Sequence, residues 1–402
     1  MSYELWDNDE EINYFREYLR IPTVHPDPNY EPAVDFLKRQ AKELDLPVSV
    51  FYPFDKANPV LVITWTGQDP KLPSILLNSH MDVVPVFPEN WTRSPFSADM
   101  DILGNIYARG AQDMKCVGSW YMAAIRALKK SGTTFKRTIH LSFVPDEEMG
   151  GRRGMRVFID TDEFRNLNVG CGLDEGLASP GEEIPVYYGE RTVWRMTFKA
   201  TGQAGHGSLL LENTAGEKIT YILNKMMALR QTQVDRLKNN PELTIGDVTS
   251  INLTRLDGGV QSNVVPPLLT AGFDTRLALD VDLQRHEDQL HKWCEEAGGG
   301  VEIEFDQKHP FVKPTALDDS NPFWVAFKKA TDELCLEIKP QIFTGGTDSR
   351  YLRREGIPAF GFSPLHHTPV LLHDHDEFIN ADIYLKGIQI YKKIISNLAN
   401  LS

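Results

Sequence analysis

Apolar positions recur at helical spacing near the start of the chain: Ile12, Phe15 and Leu19 within 9–20, then Ala33, Phe36, Leu37, Ala41 and Leu44 within 31–45. Recurrence at three and four residues predicts two amphipathic helices. Unbroken apolar runs come next: PVLVITW at 59–65, SILLNS at 74–79, TIHLSFV at 138–144 and the shorter NVGCGL at 168–173. Runs of this kind predict strands covered on both faces. Between the second and third runs a helix is predicted from about Met114 to Lys130. Strands alternating with helices predict an α/β fold around a central, mostly parallel sheet.

The middle of the chain changes character. RTVWRMTFKA at 191–200 alternates as a half-buried strand does. Thr214 and Glu217 fit a capping box that opens a helix running to about Arg236. VTSINLTRL at 248–256 and LLTAGFDTRLAL at 268–279 predict two strands, with Asp257-Gly258-Gly259 as a turn between them. A helix from about Leu283 to Glu296 and the strand VEIEF at 301–305 complete a β-α-β-β-α-β order. That order is the ferredoxin-like plait, an α+β unit able to fold by itself. The remainder returns to α/β type, with helices predicted at 321–336 and 382–398 around the run IPAFGF at 357–362. The expected organisation is one α/β domain in two parts, 1–190 and 309–402, with the plait inserted at 191–308.

Charge narrows the partners. Among 402 residues, 42 are basic and 56 acidic, so the formal charge is 42 − 56 = −14. A field of that sign repels phosphate backbones and anionic bilayers, which argues against nucleic-acid and membrane partners. No run of eighteen apolar residues predicts a membrane span. The opening MSYELWDNDEEINYFREYLR lacks the basic and apolar regions of a secretory signal. Cys116, Cys171, Cys294 and Cys335 are widely spaced with no CxxC pair. The expected compartment is therefore the reducing cytoplasm.

Chemistry gathers where the apolar runs stop. SILLNS leads into His80-Met81-Asp82, TIHLSFV into Pro145-Asp146-Glu147-Glu148-Met149-Gly150-Gly151, and NVGCGL into Asp174-Glu175-Gly176. Asp113 stands just ahead of the helix near Met114. In open α/β sheets the carboxyl ends of the strands are where ligands bind. Several anions pooled at one edge raise each other's pKa or attract a cation. Histidine nitrogen with carboxylate oxygen suits zinc, cobalt or manganese, and two metals sharing one carboxylate would neutralise the cluster most fully. On an extended backbone His80 and Asp82 point the same way, whereas Glu147 and Glu148 point apart. One of those glutamates can therefore bind metal while the other faces water. A second histidine is expected from His366–Glu377, where spacing leaves His373 and His375 equivalent. Each acidic turn taken alone also fits a cap or a solvated turn. His140 is expected to be packed within its strand, and His25, His286, His291 and His309 to lie on the surface. Gly150-Gly151-x-x-Gly154 lacks the ending of a phosphate loop.

Taken in order, SHMDVVP, ARGAQDMKC, VPDEEMGG, LDEG, GHGS and LLHDHDE resemble the co-catalytic zinc peptidases of the aminoacylase and carboxypeptidase family. The likeness runs from near residue 10 to near residue 395. It implies a zinc-peptidase-like catalytic domain holding two zinc ions per subunit, with the plait as a lid that mediates a homodimer. His80, Asp113, Glu148, Glu175 and His373 are then metal ligands, with Asp113 bridging. Asp82 orients His80, and Glu147 is the general acid/base. His206 resembles the lid histidine that reaches a neighbouring active site, although many relatives have Ala where Gly207 stands. The implied activity is hydrolysis of a small-molecule N-acyl-L-amino acid to a carboxylate and a free amino acid. The substrate's α-carboxylate calls for a guanidinium: Arg276 helped by Asn263, or Arg350. A dipeptidase or carboxypeptidase with the same centre is the alternative reading. A non-catalytic binding protein on this scaffold is a more distant one, since the ligands and Glu147 are all present.

Overall fold

In the computed structural model, which describes residues 2–401, the strand Ser74–His80 is buried at every position. Its alternate side chains enter different cores. Ile75 and Leu77 join Leu61, Ile63, Leu141 and Phe143 in a core shared with the helices Glu10–Leu19, Lys115–Lys130 and Ala381–Ala399. Leu76 joins Val60, Val62, Val144, Met155 and Phe158 on the opposite side. A strand covered on both faces has no use for polar alternation, which is why the run reads as continuously apolar.

The sheet has eight strands in the order Val48–Phe51, Val60–Trp65, Ile139–Val144, Ser74–His80, Val169–Asp174, Ala359–Phe362, Ile184–Glu190 and Ile338–Phe343. The four in the centre are parallel to one another, as expected. Strands paired outside them run antiparallel. The two edge strands and Ile184–Glu190 are the ones the sequence pattern does not signal. Ile338–Phe343 reads IKPQIF and buries only its last two residues, and Val48–Phe51 is never fully buried.

The chain divides into two compact units. The larger comprises the chain through Tyr188, Thr315–Gln341 and everything from Gly346 on; the smaller comprises Gly189–Pro314 and Ile342–Gly345. In the smaller unit the predicted β-α-β-β-α-β order is present. Its sheet runs Ser250–Gly258, Leu268–Leu277, Thr192–Thr201, Val301–Lys308, antiparallel throughout. Trp194, Met196, Phe198 and Ala200 alternate into a core with Ile219, Ile222 and Met226 of the helix Ala215–Asn239 and Leu290 of the helix Leu283–Glu296. The capping box forms as read: the Thr214 hydroxyl accepts from Glu217 N–H at 3.2 Å while the Glu217 carboxylate accepts from Thr214 N–H at 2.8 Å. No helix among the described residues is long and apolar enough to cross a membrane.

Candidate metal centre

Three parallel neighbours end at the same edge, and each end carries a polar residue. His80 closes Ser74–His80, Glu147 and Glu148 follow Ile139–Val144 after Pro145-Asp146, and Glu175 follows Val169–Asp174. The turn after Val144 is tight. Asp146 and Gly150 are left-handed, at φ 68° and 87°, and bracket a single helical turn, Glu147–Met149. Asp113 arrives just before the helix Lys115–Lys130, and His373 from the loop ahead of the strand Phe378–Asn380.

Asp113 is the centre of the arrangement. Its Oδ1 lies 3.1 Å from His80 Nε2 and its Oδ2 lies 3.1 Å from His373 Nε2. Glu175 Oε2 is 3.8 Å from His80 Nε2, and Glu148 Oε2 is 3.2 Å from His373 Nε2. Two groups of possible ligands result, His80–Asp113–Glu175 and Asp113–Glu148–His373, each with its ligand atoms within 4.8 Å of one another. Ligand atoms about 2.0–2.1 Å from a tetrahedral ion stand roughly 3.3–3.4 Å apart, and the observed separations bracket that value. Glu148 Oε1 is buried and has no hydrogen-bond partner among the described residues. The Nδ1–H of His80 donates to the Asp82 carbonyl oxygen at 2.9 Å, which leaves Nε2 as the ligating atom. Donor types, separations and the unsatisfied carboxylate oxygen all fit a pair of divalent cations sharing Asp113. The structure also separates two residues that spacing left equivalent. His373 faces Asp113, whereas His375 lies near Asn90 and Phe87.

Burial and like charge set the proton affinities at this edge. Burial and the charge of Glu175 push Glu147 well above the ordinary carboxylate range. Burial and the charge of Asp113 do the same to Glu175 and carry Glu148 up to about 7. For Asp113, burial is outweighed by hydrogen bonds from His373 and His80, which hold it well below its ordinary value. Hydrogen bonds to Asp113 and Glu148 raise His373 to about 10. Carboxylates that compete for imidazole protons at one buried edge are what a cation would relieve.

Asp82 is fully buried, and its carboxylate reaches further than the sequence suggests. Oδ1 is 3.6 Å from His80 Nδ1, so the closest partner of that imidazole is the carbonyl oxygen of the same residue. The carboxylate accepts the backbone N–H of Glu147 and of Glu148, each at 3.1 Å, and so holds the turn that presents both glutamates. Its remaining neighbour is His25 Nε2 at 2.8 Å. His25 is therefore buried against the site, not on the surface as expected; nothing in its local pattern signals that. His286 is half-buried against Trp194, and His309 is half-buried beside Gln307, so these two also depart from a surface reading.

The remaining site candidates fall in both units. Arg350, in the larger unit, brings Nη2 to 4.0 Å from Glu147 Oε1. In the smaller unit, His206 and Asn263 come together: His206 pairs with Val264 in a short ladder, and Gly207 N–H donates to the Asn263 carbonyl at 2.7 Å. The His206 imidazole is exposed and bonded through Nδ1 to Ser208 Oγ at 2.8 Å. Arg276 lies on Leu268–Leu277, where its guanidinium meets both oxygens of Asp274 at 2.7 and 3.2 Å. Nothing in the sequence pattern singles out Arg109 and Glu377, both buried behind the candidate ligands. Each sits inside one of the family-like motifs, ARGAQDMKC and LLHDHDE, but neither faces the cluster directly.

A mostly parallel α/β sheet and an inserted plait give the molecule the fold seen in metallopeptidases of known structure. The chain belongs to peptidase family M20/M25/M40, which it matches over residues 76–397. Within that family it is 49% identical over 393 residues to aminoacylase-1 of Mus musculus, covering 97% of this chain and 95% of that protein. It is 44% identical over 405 residues to aminoacylase-1 of Dictyostelium discoideum, covering 98% of each. A dinuclear metal binding peptidase of the M20 family from Bacillus subtilis has the same fold, with TM-score 0.69 at 16% identity over 99% of this chain and all of that one.

Proposed function

We propose that the protein hydrolyses N-acyl-L-amino acids to a carboxylate and a free L-amino acid, using two zinc ions per subunit. The observation that carries this reading is the Asp113 carboxylate divided between His80 and His373, 3.1 Å from each, with Glu147 buried beside them. The substrate class is supported by near-half identity to aminoacylase-1 along almost the whole chain. His80 and Glu175 would hold one ion and His373 and Glu148 the other, with Asp113 shared. Such ions supply the positive charge that acidifies water and polarises an amide carbonyl.

The chain's own groups do the rest. Glu147 is buried with a raised proton affinity, so it takes a proton from the attacking water and delivers it to the leaving nitrogen. Asp82 fixes the turn that carries Glu147. Arg350 lies 4.0 Å from Glu147 Oε1, within reach of a substrate carboxylate, and Arg276 with Asn263 is the other candidate for that role. His206 donates to the developing oxyanion, from the second chain of a homodimer in which the smaller unit serves as lid and contact surface. Its exposed imidazole, steadied by Ser208, suits a group offered to another surface. The cytoplasm is the proposed compartment, in keeping with four unpaired cysteines.

Paired assays on N-acetylmethionine and an unblocked dipeptide test the substrate class. Preference for the blocked amino acid is expected; preference for the dipeptide makes the enzyme a dipeptidase on the same centre. The shared site is tested by mixing inactive His206→Ala and Glu147→Ala chains. Activity should return on subunit exchange, and its failure to return rules out a contribution from the second chain.

A further inference from the structure

Glu377 is completely buried, and its carboxylate is enclosed by four donors. Oε1 accepts the backbone N–H of Gln112 at 2.5 Å and of Asp113 at 3.2 Å. Oε2 accepts Gly110 N–H at 3.0 Å and Arg109 Nη1 at 2.8 Å. The backbone that delivers Asp113 is thus wrapped around one carboxylate from a segment 264 residues away. Arg109 completes the link in the other direction. Its Nη1 also donates to the carbonyl of Asp374 at 3.0 Å and its Nη2 to the carbonyl of His373 at 3.4 Å, while the guanidinium lies over the Trp91 ring. Gln112 adds a second tie, with Nε2 donating to the carbonyls of Pro369 and Phe378 and Oε1 accepting Leu371 N–H.

A buried ion pair is a costly way to close a turn, because apolar packing stabilises at least as well. What the pair adds is fixed geometry. His373 needs it, since its side chain is half-exposed and its backbone is left-handed at φ 60°, so core packing does not hold it. We infer that Arg109 and Glu377 are positioning residues of the metal centre, setting Asp113 and His373 in one fixed relation. The inference rests on the dinuclear reading above.

The test compares the full-length wild-type protein with Glu377→Gln and Arg109→Lys. Zinc affinity is measured by competition with a chromogenic chelator, alongside kcat, KM and the melting temperature of the zinc-free protein. Glutamine turns an amide NH2 toward one pair of N–H donors. Lysine keeps the charge but cannot span from Glu377 to both carbonyls. Outer partners of metal ligands typically contribute about 10- to 100-fold in metal affinity or activity. The expected result is a loss of that size in zinc affinity and in kcat, with KM nearly unchanged, and a smaller loss in Arg109→Lys. Wild-type affinity for both ions together with a lowered melting temperature would make the pair a structural clamp only and overturn the inference. Should Glu377→Gln not fold, unchanged zinc affinity in Arg109→Lys overturns it equally. Absence of zinc binding by the wild-type chain would instead reject the dinuclear reading itself.

Discussion

His80 and His373 offer the same ring nitrogen to the same carboxylate, 3.1 Å away in each case, yet they are held by opposite means. His80 ends a strand buried on both faces, is 1% exposed, and is locked by a hydrogen bond to a carbonyl two residues on. His373 stands in a loop with its side chain 49% exposed, at a left-handed residue, tied down through Arg109 and its neighbours. One half of the centre is a by-product of core packing, and the other is built from polar ties. A preorganised site does not require uniform burial, only that each contributing side chain has something rigid behind it.

Removing what the halves share should have the largest effect. Asp113→Ala is expected to abolish binding of both ions and to lower kcat/KM by more than the roughly 10- to 100-fold of an outer-partner change. Elemental analysis with a turnover assay checks it, and retention of two ions would show that Asp113 does not bridge. Glu147→Gln comes next. It should lower kcat about 100- to 10,000-fold while both ions stay bound, so a parallel loss of metal would assign Glu147 to the ligands.

The two halves then separate in stability. In zinc-free protein, His80→Ala removes a buried, hydrogen-bonded ring and should destabilise by roughly 1–3 kcal/mol. His373→Ala, at a half-exposed position, should cost less, through the lost contacts to Asp113 and Glu148 alone. Equal losses by thermal or chemical denaturation would erase the contrast between core-held and loop-held ligands.

Acidity provides a gentler probe. Burial and the Asp113 charge push Glu148 up to about 7, and hydrogen bonds to Asp113 and Glu148 raise His373 to about 10. Between about pH 4.5 and 10 these groups make the native state bind more protons than the unfolded one, so stability should fall as pH rises through that window. Zinc binding must displace those protons, so its apparent affinity should climb over the same range. Melting curves and zinc titrations at pH 5, 7 and 9 read both trends; a melting temperature that rises with pH in zinc-free protein would contradict them. The smallest effect is expected at His25. His25→Gln can keep a donor on Asp82, whereas His25→Leu cannot, so only the leucine variant should lose kcat. Equal activity in the two would show that the Glu147–Glu148 turn does not depend on that contact.

Legibility followed the same division. The strand ends, the helix at Lys115–Lys130 and the plait were readable because continuous apolar runs and 3.6-residue periods record burial directly. Most of the clustered candidates were readable because polar residues that interrupt such runs stand out. His373 could not be told from His375 by spacing, because loop geometry is set by distant partners such as Arg109 and Glu377, and pairing across 264 residues leaves no periodic trace. Outer strands such as Ile338–Phe343 were missed because half-buried edges carry polar residues and a proline that mask the pattern.

The most direct test is zinc content per chain, followed together with hydrolysis of N-acetylmethionine during exhaustive chelation and stepwise return of zinc. Two ions per chain at full activity, loss of turnover on chelation, and recovery that tracks re-occupied sites are expected. Folded protein that keeps full turnover with no bound cation would contradict the account.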